Sequence, residues 1–146
     1  MAERCRKEEA ARRAAMWWTN QIANKGVDAG FCRDQMDEIG LKFMKKFKRN
    51  AEPKQILRFQ TELEERILKL MDECPVVELM VNYHPFAPLR DAAAAAGIDE
   101  MCFPMKTVCR IVPEGDNLYC VWVDRLGGGN RRYLKENGEE GAADGA

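Results

Sequence analysis

Two short stretches carry the side chains best suited to chemistry, Val-Asn-Tyr-His-Pro at positions 81–85 and Phe-Pro-Met-Lys-Thr at positions 103–107. Tyr83, His84, Lys106 and Thr107 bring a phenol, an imidazole, an ammonium and a hydroxyl, each able to donate a hydrogen bond to an anion. A helix expected to begin at Pro88 adds unpaired backbone amides beside them. The four residues form one ligand-binding site only if the chain brings both stretches to the same sheet edge. A parallel crossover would carry Lys106 to the opposite edge, and the sequence leaves that choice open. A plainer reading uses Pro85, Pro88 and Pro104 only to shape corners and leaves His84 as a loop residue.

Catalytic constellations are harder to find. Serine is absent from the chain and His84 is its single histidine, which removes serine nucleophiles and histidine metal clusters. The cysteines at 5, 32, 74, 102, 109 and 120 never adopt a C-x-x-C spacing. They read as reduced thiols, with Cys109 and Cys120 as small apolar residues on strands. A pair of His84 with one of them is conceivable, but no local feature selects the cysteine. Glu64-Glu65 and Glu139-Glu140 are adjacent, so on a helix they diverge and elsewhere they are solvated. Gly127-Gly128-Gly129-Asn130 lacks the lysine and helix of a phosphate loop. The expectation is a non-enzymatic protein without metal or cofactor.

A second candidate surface is a run of positive charge. From position 42 to 58 the chain holds seven basic residues against one acid, Glu52. Lys42, Lys45, Lys46 and Arg49 share one face of an expected helix and offer a landing strip for nucleic acid, a nucleotide or an acidic protein. A solvated helix face balanced by the later acids is the competing reading. The charge is local, because the formal net charge is −1 and gives no global attraction to nucleic acid or membrane. The charged stretch at the first residues and the lack of a long apolar run point to a cytoplasmic location with no membrane partner. Self-association remains open.

These residues need elements to hold them. Periodicity predicts helices over residues 3–24, 29–49 and 53–73, the last with Pro53 at its first turn and a stripe of Ile56, Phe59, Leu63, Ile67 and Leu70. The period then changes. VVELMVNY predicts a largely buried strand over 76–83, and a short helix from Pro88 closes at Gly97, with its small side chains expected against the sheet. KTVCRIV and LYCVWV flank Pro-Glu-Gly-Asp-Asn and predict a hairpin of strands 106–112 and 118–123. The expected fold is α+β, three N-terminal helices packed on a small β-α-β-β sheet with a C-terminal hairpin, in one domain over 1–126. Residues 127–146, rich in glycine and charge, are expected as a flexible tail.

Four motifs together carry a resemblance: Ala-Ala-Met-Trp-Trp at 14–18, Asn-Tyr-His-Pro at 82–85, Ala-Ala-Gly-Ile at 95–98 and Phe-Pro-Met-Lys-Thr at 103–107. The chain resembles small accessory proteins of bacteriophages and integrated elements, in which the last motif is usually Phe-Pro-Trp-Lys-Thr followed by a terminal hairpin. Met105 stands where those proteins have tryptophan, which removes an aromatic platform for a base. The resemblance implies a role against bacterial defence, by capturing a nucleotide signal or binding a defence protein. A nucleic-acid-binding accessory role through residues 42–58 is the alternative.

Overall fold

The computed structural model describes residues 4–23, 51–126 and 129–143. The expected helix over 29–49, and with it Lys42, Lys45, Lys46 and Arg49, lies outside the described residues. Within them the chain is α+β, with three α-helices and a five-stranded antiparallel sheet in simple meander order.

Helix α1 (Lys7–Ala23) buries Ala10, Ala11, Ala14, Ala15, Trp17, Trp18 and Ile22. Its alanines keep the near side of the helix flat, so helix α2 (Pro53–Glu73) can approach closely. Helix α2 buries Phe59, Leu63, Ile67 and Met71, one residue per turn, and keeps Ile56 and Leu70 at the margin of the same core. Gln55 accepts from the Glu52 backbone amide at 2.9 Å and donates to the Gly97 carbonyl at 2.8 Å, tying the start of α2 to the end of helix α3 (Leu89–Ala96). Lys7 pairs with Asp72 near the other ends of α1 and α2, and that carboxylate raises the lysine pKa.

Strand β1 (Val77–Val81) pairs with β2 (Thr107–Pro113), and β2 with β3 (Tyr119–Arg125). Two more strands follow, β4 (Arg132–Leu134) and β5 (Glu140–Ala143). Leu79, Cys109, Ile111, Val121, Val123 and Leu134 join the core that contains the apolar faces of α1 and α2. On the other face Trp122 is flanked by the guanidinium groups of Arg110 at 5.2 Å and Arg131 at 4.3 Å.

Three expectations are corrected. The first strand is an edge strand with alternating burial, because Glu78 points outward and pairs with Arg110 at 2.6 Å. Helix α3 lies against α2 rather than on the sheet, with its Leu89, Ala92, Ala93 and Ala96 buried. Part of the expected flexible tail forms β4 and β5. Leu134 is buried there, Tyr133 stands opposite Trp122, and the buried Arg13 donates to the Leu134 carbonyl at 3.2 Å. Those contacts stabilise a hairpin that composition alone did not suggest.

Candidate functional site

The β1–β2 register decides how the two chemical stretches meet. Val81 faces Thr107 across an antiparallel pair, and just beyond it the Lys106 amide donates to the Asn82 carbonyl at 2.8 Å. The return is therefore antiparallel and brings Lys106 back beside Tyr83. The Lys106 ammonium lies 5.3 Å from the centroid of the Tyr83 ring, within range of a cation–π contact. Asn82 and His84 close a tight turn, with the Asn82 amide reaching the His84 carbonyl at 3.3 Å. His84 Nδ1 is 3.4 Å from a carboxylate oxygen of Glu100, on the 3-10 turn Glu100–Cys102.

The corner is open. The His84 side chain is 82% exposed, and Tyr83, Phe86, Met101 and Met105 are 65%, 48%, 53% and 55% exposed. These side chains belong to the two segments that the Asn82–Lys106 and His84–Glu100 contacts join. Lys106 itself has a positive φ of 52°, a conformation that glycine or asparagine would adopt more easily. Its backbone is held there from both sides, since its carbonyl accepts from the Leu126 amide at 2.9 Å.

Thr107 departs from the other three. Its side chain is buried and donates to the Met105 carbonyl at 3.0 Å, so it braces the loop and offers nothing to the open corner. It instead lines a separate cleft of about 340 Å³ between the C-terminal half of α1 and the end of the sheet. Trp17, Val123 and Pro104 form the apolar part of that cleft, and Gln21, Arg132 and Glu140 contribute polar groups. Asp124, also on its wall, accepts from the backbone amides of Arg125 at 2.7 Å and Asn130 at 3.2 Å. Its carboxylate therefore ties the end of β3 to Asn130.

The sequence reading missed this cleft and the apolar residues around the corner. Asn137-Gly138 was the available signal for the cleft, because an Asn-Gly pair between two short β-type runs marks a hairpin. That hairpin places Arg132 opposite Val123 and brings Glu140 to the cleft.

Among the described residues no cluster of three histidine, cysteine or carboxylate side chains is placed to hold a metal. Cys5, Cys102, Cys109 and Cys120 are buried thiols, and Cys74 is exposed. Burial pushes the Cys109 thiol far above its ordinary range, opposed in part by the Trp18 indole. Burial also raises Cys120, with the Glu114 carboxylate adding to the effect. Neither is an activated nucleophile. No protein-family profile, curated protein or solved structure matches the chain.

Proposed function

We propose that the protein is a non-enzymatic binding protein of bacteriophage or integrated-element type, which inhibits a bacterial defence protein by covering part of its surface with the Tyr83–Lys106 corner. The observation that carries this reading is the set of exposed apolar side chains, Tyr83, Phe86, Met101 and Met105, on the two segments that meet at the corner where the Lys106 ammonium lies over the Tyr83 ring. Large apolar groups left in water at one place mark an interaction surface, and aromatic and methionine side chains are common anchors. The openness of the corner favours a protein partner over a captured nucleotide. A small-molecule site encloses roughly 70–90% of its ligand, whereas side chains as exposed as His84 and Tyr83 enclose little. Their geometry suits a broad contact.

The test is relief of defence. The chain is expressed in bacterial strains that each carry one defence system, and phage plating is compared with and without it. Restored plating is expected in one strain, and it should be lost when Tyr83→Ala and Met105→Ala are combined. Both positions are exposed, so stability should move by no more than about 1 kcal/mol for each, the scale of the Tyr83 cation–π contact. Relief that persists in the double variant, or that appears in no strain, counts against the reading. The alternative, nucleic-acid binding through Lys42, Lys45, Lys46 and Arg49, makes a different demand. Binding through several phosphates must weaken steeply as salt rises, and a largely apolar protein contact changes far less.

A further inference from the structure

We propose that the cleft between α1 and the end of the sheet binds a free α-amino acid with an apolar side chain, recognised through its paired ammonium and carboxylate. The site is distinct from the corner and does not depend on the function assigned to it. Its floor is apolar and firmly held. Trp17 and Val123 are buried, Pro104 is half-buried, and Thr107 is fixed by its bond to Met105. An aliphatic or aromatic side chain placed there removes apolar surface from water.

The rim supplies opposite charges. Arg132 stands opposite Val123 on the neighbouring strand, and Glu140 comes from β5. Among the described residues neither side chain forms an ion pair, with the other or with any further group, although both line one cleft. A molecule that carries a carboxylate and an ammonium on one carbon can bridge them. The carboxylate accepts from the Arg132 guanidinium and the ammonium donates to Glu140. Gln21 and Asn130 provide amide groups beside that head group.

Charge and size select against a nucleotide. Asp124 and Glu140 offset Arg125 and Arg132 on the walls, so the lining carries no net charge, and a zwitterion keeps that balance where a polyanion does not. The volume of about 340 Å³ falls at the low end of the roughly 300–1,000 Å³ found for ligand pockets. It suits one amino acid better than a dinucleotide.

Calorimetric titration of the full chain with millimolar L-phenylalanine and L-leucine tests this directly. Three comparison ligands are N-acetyl-L-phenylalanine, which lacks the ammonium, L-phenylalaninamide, which lacks the carboxylate, and adenosine monophosphate. The free amino acids should bind, both derivatives should bind roughly tenfold more weakly or worse, and the nucleotide should not compete. Arg132→Gln and Glu140→Gln should each weaken binding by a similar factor while leaving thermal unfolding unchanged, since both residues are exposed. The derivatives on the unaltered chain keep the test valid if a variant fails to fold. Absence of amino-acid binding overturns the proposal, as does equal binding of either derivative. Nucleotide binding that is lost in Arg132→Gln and kept in Glu140→Gln overturns it too, and makes the cleft an anion site.

Discussion

The Lys106 ammonium sits 5.3 Å above the Tyr83 ring while the Lys106 backbone occupies the left-handed region at φ 52°. A side chain is thus presented from a position where glycine would be easier to accommodate. The two effects oppose one another in stability. Left-handed backbone costs a non-glycine residue about 1 kcal/mol, and an exposed cation–π contact returns roughly 0.5–1 kcal/mol. Lys106→Gly should therefore change folding stability by less than about 1 kcal/mol in urea denaturation. The same substitution should abolish relief of defence, because it removes the charge that lies over the exposed Tyr83 ring. A variant with full activity would assign Lys106 to the loop alone.

His84 gives a second prediction. Its ring is 82% exposed and its polar neighbour, Glu100, is itself 44% exposed in the side chain. Ion pairs in that setting contribute between nothing and about 1 kcal/mol. His84→Ala should cost no more than that in chemical denaturation. A loss above about 2 kcal/mol would mean that His84 holds the corner together, contrary to its exposure.

What could be read in the sequence depended on how local the signal was. The α2 stripe needs only its own period, and Pro-Glu-Gly-Asp-Asn needs only its own turn, so both lie where expected. Gly97 ends α3 at φ 71°, and Ile98 folds back with its amide on the Ala93 carbonyl at 2.9 Å, as a glycine cap requires. The meeting of Tyr83 with Lys106 is different, because it depends on the direction in which β2 returns. No property of either stretch encodes that direction. Strand β1 keeps an exposed face although VVELMVNY is apolar enough for a central strand, because Glu78 alone marks its outer face. The last hairpin was hidden by composition. Its stability rests on its own Leu134 in the core and on groups outside it, Arg13 of α1 and Trp122 of β3.

Thiol accessibility offers a third prediction. Cys74 is exposed at the end of α2, and Cys109 and Cys120 are buried with their pKa values raised. Only the thiolate reacts, so both burial and the raised pKa values slow alkylation of the two strand cysteines. Under native conditions iodoacetamide should modify Cys74 well before Cys109 or Cys120, as read by peptide mass spectrometry. Equal rates at Cys74 and Cys109 would show that β2 opens freely.

The last prediction concerns the hairpin that completes the cleft. Gly138 has φ 80°, and a Cβ placed on it would lie 2.7 Å from the Met16 Cβ and 3.0 Å from the Trp17 backbone nitrogen. An alanine there is opposed twice, by left-handed backbone and by a collision with the body of α1. The neighbouring anchor is Arg13, buried and bonded to the Leu134 carbonyl at 3.2 Å and to Glu9 at 3.3 Å. Arg13→Met keeps much of the packing and removes these bonds, leaving a buried acceptor unsatisfied at a cost of about 1–3 kcal/mol. Gly138→Ala should destabilise by at least about 2 kcal/mol, the backbone term of roughly 1 kcal/mol plus the contact. In hydrogen exchange, both variants should lose protection over 132–143 first while residues 107–113 remain protected, because β2 has partners on both sides without the hairpin. Uniform loss across the sheet would instead make the hairpin part of one cooperative unit with the core. In either variant the cleft loses the wall that carries Arg132 and Glu140, so amino-acid binding should fall together with protection of the hairpin.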